Sequence, residues 1–396
     1  MSKKAILVFN CGSSSIKAQV VDPVSGVIYF KVLCEEVGSK GCFLTLEEEG
    51  EKVRLECPMM DYGQAIDKIV SQMSASLKSM LVGVGHRVVH GGSFFTLSTR
   101  IDANVASKIK ECIPLAPLHN SYNLLGIEKL QKAFSHLPHV AVFDTAFHAT
   151  LPKYAHIYPL DFLLYEKHQI KKYGFHGTSH RYVTQMIAEK MGKSVENTRF
   201  ISAHLGGGCS LCAISGGKSI ETSMGFSPAE GLMMATRSGD IDPTLFSFLH
   251  QTLGMSMEEV VAVINKKSGL LGVSGISGDL RDIEKGVDEG NERAILAFEM
   301  FCYRLSKMIA SYFIIVPGMD ALIFTGGIGE NSDRVRQRVC SWLKPLGVSM
   351  DMAKNRVHGK GYDGEISDEK SSFTVCVQPT NEELLIAQDT FDLSRD

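Results

Sequence analysis

The sequence has no excess of charge of either sign and no long apolar run. Lysine and arginine number 41 against 44 aspartates and glutamates, a net charge of −3 over 396 residues. No stretch is basic enough to mark a nucleic-acid or phospholipid surface. No apolar run approaches the ~18 residues of a membrane span, and the five that follow Met1-Ser2-Lys3-Lys4 are too few for the core of a secretion signal. These absences predict a cytoplasmic protein with a small or nucleotide ligand and with neither nucleic-acid nor membrane partners. A disulfide framework is also missing, because the ten cysteines follow no regular spacing. They are expected to be reduced, mostly as core fillers. The one C-x-x-C, Cys209 to Cys212, falls in a predicted strand, where residues three apart point to opposite faces, which argues against a metal or redox pair.

What is present begins at Ala5. An apolar run to Phe9 meets Asn10-Cys11-Gly12-Ser13-Ser14-Ser15, and then Ile16 to Val21 alternates with Lys17 in its body. This reads as strand, tight polar turn, strand. Gly12 admits close backbone approach, the serines add hydroxyl donors and Lys17 adds a cation, so the hairpin suits a phosphate as well as being an ordinary Ser-rich turn. It is not a Walker A loop, whose spacing is absent.

Three further strands are expected between residues 28 and 57. From Gln64, Ile66, Ile69, Val70, Met73, Leu77 and Leu81 recur at helical spacing, predicting one amphipathic helix before a strand at Val82 to Val84. A second short strand around Arg87 closes on Gly91-Gly92, and an arginine beside glycines suits a carboxylate or phosphate fork as well as a structural salt bridge. A helix starts near Pro117, and the strand Val140 to Phe143 ends at Asp144, which is a ligand-side carboxylate or a helix cap. Residues 151–173 show no period, and the domain boundary is placed near Leu151, since 396 residues exceed one core.

The second half opens on Gly174-Phe175-His176-Gly177-Thr178-Ser179-His180, with Ser179 as the predicted N-cap of the next helix. Phe200 to Ile214, about half the chain after the first hairpin, repeats strand, glycine turn and strand through His204-Leu205-Gly206-Gly207-Gly208. An internal duplication follows, with the ligand expected between the halves. Thr236-Arg237-Ser238-Gly239-Asp240 is a polar loop. A helix from about Asn291 to Val316 carries Ile295, Phe298, Phe301, Cys302, Leu305, Ile309 and Phe313 on one core-facing stripe. Gly326 to Asn331 turns from strand into helix without the acidic partner of a dinucleotide site, so NAD is not expected. Thr380-Asn381-Glu382-Glu383 precedes the last helix, where Glu382 can reach a metal or complement the helix dipole.

Seven segments, in order, resemble the acetokinase family: Asn10 to Lys17, His86 to Gly92, Phe143 to His148, Gly174 to His180, Thr236 to Pro243, Gly326 to Asn331 and Thr380 to Glu383. The resemblance covers nearly the whole chain. It implies an α/β fold of two duplicated actin-like (ribonuclease H-like) domains, residues 1–150 completed by a helix at about 384–396, and residues 151–383, with the active site in the cleft between them. It implies reversible phosphoryl transfer from ATP to acetate, giving acetyl phosphate and ADP, with Mg²⁺, for which Mn²⁺ substitutes, in a homodimer. Position by position, Asn10 and Glu382 match metal residues. Asp144, His176 and Arg237 match catalytic ones, and Arg87, Val89, Leu118, Phe175 and Pro228 match the carboxylate pocket. Ser13, Ser15, Lys17, His204, Leu205, Gly206, Gly207, Gly208, Asp279, Leu280, Arg281, Gly327, Ile328, Gly329, Glu330 and Asn331 match nucleotide positions.

A carboxylate acceptor is already ionised at neutral pH and needs no general base, so Asp144 is expected to orient an arginine or a metal-bound water, although the family also allows it a proton-transfer role. Two departures stand out. Gly207 replaces an asparagine of the family turn, and Ser121-Tyr122 replaces two prolines. A propionate or other short-chain acid kinase, and a non-enzymatic actin-like nucleotide-binding protein, are the alternative readings.

Overall fold

The structure, a computed structural model, describes residues 4–12, 15–48, 50–358 and 364–395. The opening apolar run is strand β1 (Ala5–Cys11), which pairs antiparallel with β2 (Ser15–Val21). Strands β3 (Ile28–Glu35), β4 (Phe43–Glu48) and β5 (Glu51–Glu56) continue the meander. The alternating burial of β3 and β4 matches one face packed on a core. On the other side of β1 lie β6 (Leu81–Val88), β8 (His139–Phe143) and the two-residue β7 (Thr99–Arg100), giving the order β5-β4-β3-β2-β1-β6-β8-β7.

The second sheet repeats this plan. Strand β9 (Arg199–Leu205) pairs antiparallel with β10 (Cys209–Ser215), which pairs with β11 (Lys218–Thr222). Strand β12 (Ala321–Thr325) runs parallel to β9, and β14 (Thr374–Val377) runs parallel to β12, with β13 (Gly364–Glu365) at the edge. The pairings β1–β2, β1–β6 and β6–β8 thus recur as β9–β10, β9–β12 and β12–β14, with the same parallel or antiparallel sense.

By compactness the chain divides into Met1–Phe147 with Asn381–Asp396, and His148–Thr380. In the first unit, one sheet face packs Phe9, Ile16, Val32 and Leu44 against the helix Tyr62–Gln72. The other face buries Ile6, Val8, Val140 and Val142 under Ile386, Ala387 and Phe391 of the helix Glu382–Leu393. Burial of each large side chain there is worth roughly 1.5–3 kcal/mol. Gly85 permits that contact, because a Cβ there would lie 2.4 Å from Thr390 Oγ1.

Local structure departs from expectation at several points. The helix expected to run unbroken from residue 64 is two, Tyr62–Gln72 and Ala75–Met80, because Ser74 accepts the Leu77 N–H and starts a new N-terminus. The two strands expected between residues 82 and 92 are the single β6. Residues 151–173, aperiodic in sequence, hold the short helices Lys153–His156 and Phe162–His168. On the long helix Glu292–Ile315, Ile295 is 40% exposed, and the buried stripe is carried by Ala294, Ala297, Phe298, Phe301, Cys302, Leu305, Ile309 and Tyr312. All ten thiols are free and buried; Cys209 meets Gly206 O while Cys212 meets Ser219. Among the described residues, no helix is long and apolar enough to cross a membrane.

Candidate active site

In the first unit the strand ends gather charge. The register sets Asn10 opposite Lys17, and Phe9 opposite His86, so Arg87 emerges beside Asn10. Asp144 follows the end of β8. Arg87 donates from Nε to Asp144 Oδ1 at 2.9 Å and from Nη2 to Oδ2 at 2.6 Å, a bidentate fork whose carboxylate is only 2% exposed. Nη1 lies 3.4 Å from Asn10 Oδ1, and Nε lies 3.8 Å from Glu382 Oε2. Burial alone pulls the guanidinium down, but Asp144 and Glu382 outweigh it and hold it above its ordinary value. Burial pushes the Glu382 carboxyl up to about 7, with Arg87 and Lys17 pulling it down and Asp144 and Glu383 pushing it further up.

Two asparagines that the sequence pattern does not single out hold these strand ends. Asn123 accepts the Val89 N–H at 3.0 Å and donates to Cys11 O at 2.8 Å, tying the β1 turn to the end of β6. Asn120 makes the paired contacts to His90 N and O. A signal for both exists. They lie on the stripe of helix Pro117–Ala133 that buries Leu124, Ile127 and Leu130, where an unpartnered amide would be costly. Val89 is 7% exposed, whereas Leu118 is 58% exposed on the first turn of that helix. Gly12 N–H closes the first hairpin on Ser15 O at 2.8 Å. Ser13 lies outside the described residues.

A divalent cation fits this cluster. Asn10 Oδ1 and the Glu382 carboxylate both sit beside one guanidinium, and Mg²⁺ typically takes one or two protein oxygens with waters and substrate phosphates making up the rest. No group of three or more His, Cys, Asp or Glu side chains among the described residues could hold a metal in a protein cage.

In the second unit the corresponding strand ends carry imidazole and hydroxyl groups. His176, at φ 56°, is itself the N-cap of the helix Gly177–Lys190. Ser179, the predicted cap, lies inside the first turn, contacts His204 Nδ1 at 2.8 Å and donates to Thr380 Oγ1 at 2.8 Å. The His176 and His204 rings are 4.2 Å apart. A Cβ on Gly208 would lie 3.3 Å from Arg237 Nη1 and 3.4 Å from His176 Cε1, so the glycine turn, the arginine and the imidazole meet.

Arg237 has no carboxylate partner among the described residues. It donates to Pro228 O at 3.0 Å, and burial lowers its pKa. Its loop is pinned by Thr236 Oγ1 to Asn265 O and by Ser238 N–H to Ile264 O. Phe175 is buried, and its carbonyl accepts from His148.

The turn after β12 requires Gly326, because at φ 76° its Cβ would lie 2.7 Å from Leu205 O. Gly327 and Asn331 are exposed, Ile328 is half-buried, and Asn331 donates to Gly327 O. The Glu330 carboxylate ties its own turn to the segment before the last helix, accepting the N–H groups of Gly326 at 2.9 Å and Thr380 at 3.2 Å. Arg336, not singled out by sequence, is fully buried and donates to the carbonyls of Gly329, Glu330, Asn355 and His358 and to Asn355 Oδ1. Burial lowers it to about 10. Asp279 caps the helix Leu280–Asp288 and forks Arg281, both on the surface, while Leu280 is buried.

Two sheets of one plan, each turning a polar or glycine-rich hairpin beside arginine or histidine, define a phosphotransferase of the duplicated α/β class. The chain belongs to the acetokinase family, whose profile matches residues 5–388. It is 48% identical over 395 residues to the acetate kinase of Clostridium botulinum (strain Kyoto / Type A2), covering 98% of this chain and 99% of that one. Among solved structures, Porphyromonas gingivalis acetate kinase superposes with a TM-score of 0.93 at 42% identity, over 98% of this chain and 99% of that one. A propionate kinase from Francisella tularensis subsp. tularensis SCHU S4 gives 0.94 at 42% identity with the same coverage.

Proposed function

We propose that the chain catalyses reversible transfer of the γ-phosphoryl group of ATP to the carboxylate of acetate, giving acetyl phosphate and ADP. The observation that carries this reading is the Arg87–Asp144 fork, with Asn10 and Glu382 beside it. An arginine locked by a buried carboxylate is aimed in advance, which suits neutralising charge on a carboxylate and a phosphoryl group that need positioning more than covalent help. Asp144 orients Arg87 through the bidentate fork. Arg237 and His176 supply the second cation and a neutral donor, and Gly206 to Gly208 and Gly326 to Gly329 offer backbone to nucleotide phosphates. Asn10 and Glu382 would hold Mg²⁺, which would supply positive charge to offset that of the phosphates.

We assign the protein to the cytoplasm as a homodimer. Exposed Phe246, Phe248, Leu253 and Met257 are apolar surface of the kind a second subunit covers, and sedimentation tests this. The enzymatic test is hydroxamate-trapped acetyl phosphate from Mg-ATP across formate, acetate, propionate and butyrate. Absence of product with every acid sinks the reading. Buried Val89 supports acetate over propionate by roughly 10- to 200-fold in kcat/KM, as one methylene in a small apolar pocket is worth. Equal use of the two acids would favour the broader short-chain reading, and Val89→Ala should shift the ratio towards propionate.

A further inference from the structure

Four side chains of the second unit form a line that the roles above leave unexplained. Ser202 Oγ is 3.0 Å from His180 Nδ1, His180 Nε2 is 2.8 Å from Ser210 Oγ, and Ser210 Oγ is 2.9 Å from His176 Nδ1. Ser202, His180 and Ser210 are completely buried. Ser210 pairs with His204 in the strand register, and Ser202 is two residues from His204, so all three face the helix that starts at Gly177.

The direction of the line follows from counting donors. Burial, then His148 and His204, hold His180 well below the ordinary imidazole value, so it is neutral and offers one N–H and one lone pair. Among the described residues, His180 Nδ1 is the sole hydrogen-bond partner of the Ser202 hydroxyl. If Nδ1 carried the proton, the Ser202 O–H would be buried with nowhere to go, which proteins avoid. Ser202 therefore donates to Nδ1, His180 donates from Nε2 to Ser210, and Ser210 donates to His176 Nδ1. A ring nitrogen that accepts leaves the proton of the neutral ring on the other one.

We propose that Ser202, His180 and Ser210 are positioning residues that fix the tautomer of His176, placing its proton on Nε2 as the donor presented to the transferring phosphoryl group. The role of that donor rests on the kinase reading; the tautomer does not. His204 provides an internal contrast. Ser179 spends its proton on Thr380 Oγ1, so it accepts from His204 Nδ1, and the neighbouring ring carries a proton at the nitrogen where His176 accepts one.

The test is long-range ¹H–¹⁵N correlation of the full-length protein labelled in histidine, alongside steady-state kinetics. The wild type should show His176 protonated at Nε2 and His204 at Nδ1. Ser202→Ala should leave His176 a mixture of tautomers and lower kcat about tenfold, with KM for ATP and acetate moving less than about twofold, as expected for weakening one preorganised donor. Ser202→Thr, which keeps the hydroxyl, should restore both. A wild-type His176 protonated at Nδ1 overturns the relay. A mixed tautomer with unchanged kcat overturns its catalytic half. A wild type that transfers phosphate to no short-chain acid instead removes the kinase reading, while the spectrum still decides the tautomer.

Discussion

The two sheets place different chemistry at equivalent positions. Phe9, His86 and Ala141 align across the first sheet as Ala203, Phe324 and Val377 do across the second. Asn10 therefore corresponds to His204, Arg87 to Thr325 and Asp144 to Thr380. In the first unit these places hold an ion-paired guanidinium and carboxylate, joined by Glu382. In the second they hold imidazole and hydroxyl groups: Ser179 meets His204 and the Thr380 hydroxyl, and the inward-turned Glu330 accepts from the Thr325 hydroxyl and the Thr380 N–H. One half is built to hold fixed charge. The other offers neutral donors and bare backbone, with Arg237 as a cation whose bonds among the described residues go to a carbonyl and a thioether.

The largest effect should come from breaking the charged half. Arg87→Ala leaves Asp144 buried and unpaired, so stability should fall by about 3–5 kcal/mol in denaturant unfolding, and kcat by at least ~10². Arg87→Ala/Asp144→Ala should recover most of the stability and none of the activity. A double variant as unstable as the single would show that the pair does not carry the difference. Next, Arg237→Ala should lower kcat by about 10² but change unfolding free energy by less than about 1 kcal/mol, because among the described residues only Pro228 O and Met234 Sδ lose a partner. A large loss of stability would make Arg237 a structural residue like Arg87.

The neutrality of the second half has its own signature. Burial, with Lys172 adding to it and the bond to Phe175 O opposing it, lowers His148 from the ordinary 6.5 to about 4. Between those values the unfolded chain binds a proton that the folded one does not. Stability should therefore be full above pH 6.5 and decline as pH falls towards 4, by on the order of 3 kcal/mol. In His148→Gln, unfolding midpoints measured from pH 7 to 4 should fall less steeply; an unchanged slope would place the acid sensitivity elsewhere. The smallest change concerns Gly207, which is exposed and has no described atom within 4 Å of where a Cβ would stand. Gly207→Asn should be tolerated and lower KM for ATP a few-fold, as one added hydrogen bond would. A raised KM would show that this turn needs its bare backbone.

The strands, the duplicated hairpins and the long helix were legible because apolar period and turn residues carry them directly. Arg87, Asp144, Arg237 and His176 stand out as candidates because they lie in polar or glycine-flanked segments. Ser74 was hidden because a lone serine inside a helical period is weaker than the period, until its hydroxyl is seen to cap. Ile295 was misplaced because neighbouring helix positions fit the same stripe. Arg336, Glu330 and the Ser202–His180–Ser210 line depend on which distant backbone or side chain each polar group meets, and residue spacing does not encode that.

The helix Glu382–Leu393 closes the core of the first unit and brings Glu382 to the cluster begun by Asn10. During synthesis the opening strands must therefore wait on the ribosome until nearly all of the described chain has been translated, whereas His148–Thr380 has all of its own strands before that helix emerges. The half made first is finished last, and one late segment completes both its hydrophobic seam and its cluster of charged side chains. Incomplete chains that reach only as far as Thr380 would accordingly lack a finished first core and the Glu382 carboxylate beside Arg87 together.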